Sequence, residues 1–291
     1  MKISIFITSY NQRDYLREAI DSVLQQTLMP HEIIVVDDCS SDESQDLISD
    51  YHRQFPDLFV PIFHSNNQGV STARRSALNR VSGDYVSYLD GDDRYRSTKL
   101  EKEAEILQKQ SDAKLVFSNN CTISTDGTRV LRRWIDDESP PTGNVFWQTF
   151  ARAFPKRSLF RMELVEYNAW KQCGFHTKEL AIYEDYDMRI RLTRSNKVAY
   201  CDEILSEIRS HDQGLSKSTR RVHFRSLDRI YKRNNWMLED LDKQTQRKSR
   251  QMFASWVYGV GVMATKEAVT DKQVFQALGF LYLTLRYRMM L

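Results

Sequence analysis

The sequence is poor in the residues that build small cross-linked or metal-bound folds. It has only four cysteines in 291 residues, at Cys39, Cys121, Cys173 and Cys201, and no pair of them has the CxxC spacing. A disulfide framework and a zinc knuckle are therefore not indicated. Unpaired cysteines suit a reducing compartment, so we expect a cytosolic protein.

Long apolar runs and glycine-rich loops are also missing. No window reaches the roughly 18 uninterrupted apolar residues of a membrane-spanning helix. The first apolar run, Ile3–Ile7, is too short for a signal-peptide core and predicts a buried strand. No GxGxxG motif is present, which disfavours the usual dinucleotide fold.

The chain does have enough apolar residues to build a large core, and its charge is unevenly distributed along the sequence. Hydrophobic residues make up 41% of the chain, which excludes disorder and allows one large domain or two modest ones. Residues 216–291 carry 15 Lys and Arg against 6 Asp and Glu, a net +9, whereas residues 1–215 carry 27 against 33, a net −6. A basic segment on an acidic body favours an anionic partner such as a phospholipid surface, a phosphorylated lipid or nucleic acid, although a solvated helical face explains it equally well.

Short β-branched or aromatic runs alternate with helical periodicity through the first ninety residues. The strand-like runs are Ile3–Ile7, Glu32–Val36, Leu58–Phe63 and Tyr85–Leu89. The segments between them repeat apolar residues at helical spacing. This alternation predicts a parallel sheet covered by helices on both faces, with ligands beyond the carboxyl ends of the strands.

Polar residues follow three of these strands. They are Thr8–Asn11, Asp37–Asp42 and Asp90–Asp93, where Gly91 would let the chain turn sharply. Carboxylates gathered at one edge repel one another unless a divalent cation joins them. An acidic turn that caps the helix predicted near Ser97 explains the last of these segments as well.

Two adjacent arginines, Arg74 and Arg75, are candidates to hold a phosphate group in the absence of a glycine-rich loop. They lie on the predicted helix after "NNQGVSTARR". Arginines on a helix are more often at the surface than in a site.

Five motifs in order resemble inverting family 2 glycosyltransferases with the GT-A fold. They are "ISIFITSYNQRDYLREAIDSVLQQT", "EIIVVDDCSSDES", "NNQGVSTARRSAL", "GDYVSYLDGDDRY" and "YEDYDMRIRL". The resemblance implies a mostly parallel central sheet with helices on both faces. Residues 1–215 would form the GT-A domain, with a nucleotide-sugar half at 1–100 and an acceptor half at 101–215, and residues 216–291 a basic helical extension.

The same resemblance implies the donor site. Thr8, Tyr10 and Asp38 would bind the nucleotide base, and a carboxylate at Asp38 suits the N3–H donor of uracil. Arg74 would contact the base or diphosphate. "DGDD" corresponds to the DXD motif, in which Asp90 would face the ribose and the metal shell.

The metal ligands implied by the resemblance are Asp92, Asp90 and His211, around Mn²⁺ or Mg²⁺. His211 falls in "IRSHDQGLSKS", the family segment after the last core strand, although a surface-loop histidine is the competing interpretation. The metal would neutralise charge on the departing diphosphate.

The resemblance makes Asp185 of "YEDYDMRIRL" the general base. Inverting transfer is a direct displacement in which an acceptor hydroxyl attacks the anomeric carbon, so one carboxylate must take its proton. If the order of the motifs is left aside, Glu184 and Asp185 are interpreted as ordinary acidic residues at a helix N-terminus.

The implied function is metal-dependent inverting transfer from a nucleotide-sugar, most simply a UDP-sugar, to a saccharide or lipid-linked acceptor in surface polysaccharide biosynthesis. A noncatalytic nucleotide-sugar or glycan-binding module remains the alternative. The acid pair Asp37-Asp38 also resembles that of response-regulator receivers. That interpretation leaves "YEDYDMRIRL" unexplained.

The tail predicts helices, and "VFQALGFLYLTLRYRMML" places Arg286 and Arg288 among apolar and aromatic residues. Such an end suits peripheral contact with the inner face of the cell membrane. Docking on the core or a homo-oligomer contact is an equal alternative, and no nucleic-acid partner is expected.

Overall fold

The architecture is a mixed α/β fold around one curled sheet, seen in a computed structural model that describes residues 1–180, 182–212 and 218–291. The strands are β1 Ile3–Ser9, β2 Glu32–Asp37, β3 Phe59–Phe63, β4 Tyr85–Asp90, β5 Arg94–Tyr95, β6 Ala113–Ile123, β7 Val130–Arg133, β8 Leu164–Glu166 and β9 Lys197–Arg209. The helices are α1 Arg13–Leu24, α2 Ser44–Gln54, α3 Val70–Leu78, α4 Lys99–Lys109, α5 Phe146–Ala151, α6 Tyr167–Cys173, α7 Glu184–Ser195, α8 Arg220–Asn234, α9 Lys243–Thr270 and α10 Val274–Arg288.

The strands form one sheet in the order β3-β2-β1-β4-β8-β6-β9-β5, with β7 paired to β6. The extended pairings, among β1 to β4 and between β6 and β9, are parallel. The short strand β8 is antiparallel to both β4 and β6 and joins the two halves of the sheet. The predicted mostly parallel α/β fold is confirmed.

The central strands are buried on both faces. Every residue of β1 and β2 is buried, which explains why their sequences are nearly continuous apolar runs without alternation. In register, Thr8 of β1 lies between Val36 of β2 and Asp90 of β4. The polar residues that follow these three strands therefore share one edge of the sheet, as predicted.

The predicted C-terminal helices are α8, α9 and α10, and they belong to the same hydrophobic core as the sheet. Phe253 of α9 packs against Phe150 of α5 and Tyr231 of α8, with ring centroids 5.2 and 5.3 Å apart. Of the alternatives for the tail, docking on the core is therefore observed. The predicted boundary at residues 215 and 216 lies outside the described residues.

Within the described parts of the chain, no helix is both long enough and apolar enough to span a membrane. All four cysteines are free thiols.

Candidate active site

The ends of β1 and β4 are held together by a backbone contact. The amide of Gly91 donates to the carbonyl oxygen of Thr8 at 3.0 Å. A Cβ atom at Gly91 would lie 2.9 Å from that same oxygen. The chain does turn here, since the amide of Asp93 donates to the carbonyl oxygen of Asp90 at 3.0 Å. Glycine is required at position 91 because the two strand ends approach closely.

Asp38 lies at this edge, but its carboxylate already binds the chain itself. It accepts hydrogen bonds from His64 Nδ1 at 2.7 Å and from the backbone amides of Gln68 at 2.9 Å and Gly69 at 2.7 Å. These bonds position the loop that leads into α3. A nucleotide base that binds Asp38 would share a carboxylate that already accepts three hydrogen bonds. Tyr10 lies at the same edge and is 46% exposed.

The neighbouring Asp37 has one free acceptor. Its Oδ2 atom accepts from the amide of Ser40 at 2.8 Å and from Gln45 Nε2 at 2.9 Å. Its Oδ1 atom is buried and has no hydrogen-bond partner among the described residues. A buried acceptor without a donor is costly, so the atom is available to a ligand or water.

Arg74 connects the polar edge of the sheet to the first residue of α7. Its guanidinium donates to Asp90 Oδ1 at 2.7 Å and to Glu184 Oε1 at 2.8 Å, and it lies over the ring of Tyr88 at 4.8 Å. Burial alone would lower the pKa of Arg74, but Asp90 and Glu184 outweigh it and raise that pKa. The predicted arginine is therefore a fixed positive charge inside the site. Its neighbour Arg75 instead donates to the carbonyl of His176 at 3.2 Å.

Two adjacent carboxylates begin α7, and their pKa values move in opposite directions. Burial raises the pKa of Glu184 to about 7, against the lowering effect of Arg74. Burial would also raise the pKa of Asp185, but Arg189 and Arg74 hold it well below its usual range. At neutral pH Asp185 is therefore ionised, as a proton acceptor must be, while Glu184 keeps its proton to a higher pH than an ordinary glutamate.

Arg189 orients Asp185 and was not singled out from the sequence. It donates to Asp185 Oδ2 at 2.5 Å, to both carboxylate oxygens of Glu163 at 2.9 and 3.0 Å, and to the hydroxyl of Tyr88 at 2.5 Å. Asp185 and Arg189 are four residues apart on one helix face, and that spacing was the available signal.

Asp92 and His211, two of the three predicted metal ligands, are in direct contact. His211 Nε2 lies 2.7 Å from Asp92 Oδ2, and burial together with the nearby Asp90 raises the pKa of Asp92. Asp90, however, is turned toward Arg74. Across residues 1–180, 182–212 and 218–291, no group of three acidic, histidine or cysteine side chains is arranged to hold a metal ion. The structure thus assembles two of the three predicted ligands.

Those two side chains still fit Mn²⁺ or Mg²⁺ chemically. A carboxylate and an imidazole are acceptable ligands for Mn²⁺, and carboxylates suit Mg²⁺. The third acid of the motif, Asp93, is buried and accepts a hydrogen bond from the backbone amide of Arg209 at 2.8 Å. This hydrogen bond anchors the end of β9 beside the site.

Two further histidines near the site were missed. His64 follows β3, where no polar segment was predicted. Its Nδ1 donates to Asp38, and its Nε2 lies 2.9 Å from the hydroxyl of Ser76. His176 is fully buried in the segment before α7, and neither ring nitrogen has a partner among the described residues. Nothing in the sequence pattern distinguishes His176 from a surface-loop histidine.

The sheet and its polar edge define a GT-A fold, and the sequence assigns the family. Residues 4–167 match the profile of "Glycosyl transferase family 2". The chain is 30% identical over 228 residues to an uncharacterised glycosyltransferase of Nostoc sp., with 74% of this chain and 64% of the relative covered. The chain therefore belongs to glycosyl transferase family 2.

A shorter but closer match is the putative teichuronic acid biosynthesis glycosyltransferase TuaG of Bacillus subtilis. It is 37% identical over 126 residues, which cover 43% of this chain and 49% of TuaG. The chain thus spans from about half to under two thirds of the length of these curated relatives.

Solved structures support the fold independently. TarS 1–349 of S. aureus in complex with UDP-GlcNAc matches with a TM-score of 0.74 at 16% identity, over 99% of this chain and 81% of that one. A mannosyltransferase of Pyrobaculum calidifontis in complex with GDP-Man and Mn²⁺ matches with a TM-score of 0.60 at 15% identity, over 99% and 82%.

Proposed function

We propose that this chain transfers a sugar from a nucleotide-sugar, a UDP-sugar, to a saccharide or lipid-linked saccharide acceptor in surface polysaccharide biosynthesis, with inversion at the anomeric carbon. The observation that carries this proposal is the bridge from Asp90 through Arg74 to Glu184. It joins the strand end of the DXD motif to the helix that bears the candidate base.

The donor would lie along the edge formed by β1, β2 and β4. Thr8, Tyr10 and Asp38 would bind the base, and Arg74 would face the diphosphate as a buried cation. Asp92, His211 and Asp90 would hold a divalent cation, which supplies charge neutralisation for the leaving diphosphate. The UDP and UDP-GlcNAc complexes of TarS and the teichuronic acid role attributed to TuaG support this choice of donor and pathway.

Asp185 would accept the proton of the attacking hydroxyl. Its low pKa keeps it ionised, and Arg189 holds it in one orientation. A weakly basic carboxylate is adequate because the hydroxyl becomes acidic only as its bond to the anomeric carbon forms. In a displacement of this kind no covalent sugar–enzyme intermediate is needed, so one carboxylate suffices.

The test is a screen of nucleotide-sugars with Mn²⁺ and with EDTA, read as thermal stabilisation and as release of free nucleotide. Ligand binding raises apparent stability by RT ln(1 + [L]/Kd), so the true donor stands out from its analogues. We expect Mn²⁺-dependent stabilisation and slow nucleotide release with one donor. Stabilisation without release, with acceptor saccharides present, would favour the noncatalytic binding module instead.

A further inference from the structure

Helix α10 has two apolar faces, and only one of them is used inside the protein. Ala277, Phe280, Thr284 and Tyr287 point inward and are buried. The rings of Phe280 and Tyr287 pack edge-on against Phe224 of α8, at 5.8 and 6.2 Å between centroids. This face accounts for the docking of α10 on the rest of the fold.

The second face is open to solvent. Its members are large apolar or aromatic side chains, and we define the outer stripe by them: Val274, Phe275, Leu278, Leu281, Tyr282, Leu285 and Met289. Phe275 is 91% exposed, Tyr282 75% and Met289 85%. At about 100° per residue these positions fall on one side of the helix. A contiguous exposed patch of this kind marks an interaction surface.

Positive charge flanks the outer stripe. Arg286 and Arg288 fall along its two edges at helical spacing, and residues 274–291 contain no Asp or Glu. A cleft of about 540 Å³ opens at the Met289 end, lined by Lys243, Arg247 and Arg250 of α9 and by the apolar residues 289–291. Apolar surface and cationic groups are therefore continuous.

We propose that the outer stripe and this basic cleft form a docking face for an anionic phospholipid surface. The stripe would enter the boundary between head groups and acyl chains, and the cleft would receive lipid phosphates. This interaction is separate from the sugar-transfer chemistry proposed above. It would account for the excess of basic residues in 216–291.

Charge complementarity favours a membrane over a second copy of this chain. Residues 216–291 carry 15 basic against 6 acidic residues, so two copies docked through α10 would bring two basic segments together. Like charges across an interface oppose association, whereas an anionic bilayer attracts each of them.

The experiment is flotation of the full chain with vesicles of phosphatidylcholine alone and of phosphatidylcholine mixed with phosphatidylglycerol. The test variants are Phe275→Ser with Leu278→Ser, and Arg286→Gln with Arg288→Gln. Leu131→Ser is the matched control, because Leu131 is 53% exposed against 57% for Leu278 but lies on β7. All substituted side chains are exposed, so far-ultraviolet circular dichroism and Tm should match the wild type.

We expect the wild type and Leu131→Ser to float only with the anionic vesicles. Both double variants should reduce the bound fraction at least about tenfold, and about 1 M salt should weaken binding because it shortens the Debye length to about 3 Å. No flotation of the wild type, or equal flotation of the Phe275 and Leu278 double variant, would overturn the proposal. A concentration-dependent dimer that this double variant dissociates, without lipid binding, would assign the face to a second copy and overturn it too.

Discussion

Arg74 Nη1 lies 2.8 Å from Glu184 Oε1, and this ion pair joins two segments 110 residues apart in the chain. Both side chains are buried, and the other end of the guanidinium binds Asp90. The polar edge of the sheet and the start of α7 are therefore held in one arrangement by a single cation. Because buried pairs are costly to break, this arrangement is expected to be rigid.

The first prediction concerns the proton acceptor. Asp185→Asn keeps the size of the side chain but removes its basicity, so acceptor-dependent nucleotide release should fall by about 100-fold or more. The donor Kd, measured by calorimetry, should change less than about twofold if Asp185 faces the acceptor, as proposed. Asp240→Asn is the control, since Asp240 is an exposed partner of Arg194. Transfer at the wild-type rate in Asp185→Asn would refute the assignment of the base.

A second prediction addresses the metal. Asp92→Ala removes the carboxylate that contacts His211 and should weaken donor binding at least about tenfold in Mn²⁺, with little change in EDTA. Calorimetric titrations in both conditions give the comparison. Asp14→Ala is the matched control, because the side chain of Asp14 is 90% exposed. Equal donor affinity of Asp92→Ala and the wild type in Mn²⁺ would remove Asp92 from the metal site.

The third prediction uses the titration of Glu184. Burial raises the pKa of Glu184 from 4.5 to about 7 in the folded protein. The folded state thus holds this proton more tightly than the unfolded state, so protonation stabilises the fold below about pH 4.5 and the stabilisation is lost as pH rises to about 7.

Glu184→Gln is neutral throughout and lacks this loss. Its free energy of unfolding relative to the wild type should therefore rise between pH 4.5 and pH 8, by on the order of 3 kcal/mol. Urea unfolding across this range measures the difference, and Glu43→Gln, which changes an exposed side chain, is the control. A constant difference between Glu184→Gln and the wild type would show that Glu184 does not titrate as proposed.

The fourth prediction tests whether the C-terminal helices belong to the core. A Cβ atom at Gly261 of α9 would overlap Thr284 of α10 and lie 2.7 Å from the ring of Phe224, whereas nothing lies within 4 Å of one at Gly259. Gly261→Ala should cost about 1–3 kcal/mol of unfolding free energy through overpacking. Gly259→Ala should add about 0.5–1 kcal/mol through helix propensity. Equal Tm values for the two variants would contradict the tight packing of α8, α9 and α10.

Most of the fold could be predicted because its signals are local. The strands β1 to β4 are apolar runs with abrupt ends, so their bounds were predicted to within a few residues, and the helical periodicity between them indicated the helices. The short strand β8 was not predicted, since three residues carry no pattern of their own and pair only because β4 and β6 approach. For the end of the chain the sequence left membrane contact and docking on the core as equal alternatives, and it did not show that α10 has one buried and one exposed apolar face.

The sequence predicted where the candidate residues lie better than it predicted which groups they contact. Thr8, Asp38, Arg74, Asp90 and Asp92 all lie at the edge where their motifs placed them. The sequence could not show that His64 binds the carboxylate of Asp38. Nor could it show that Asp90, one of the predicted metal ligands, pairs with Arg74. Such choices depend on side chains from distant segments that compete for the same oxygen atoms.

The sequence by itself determined the α/β alternation, the order of the acidic motifs and the basic character of the tail, because each depends on residues close together in the chain. Only the tertiary structure decided that Arg74 bridges Asp90 and Glu184, that Arg189 keeps Asp185 ionised, and that α10 leaves one apolar face uncovered. These features depend on burial and on charges brought together from distant parts of the chain. Burial sets the strength of each charge interaction, and burial is known only once the chain has packed.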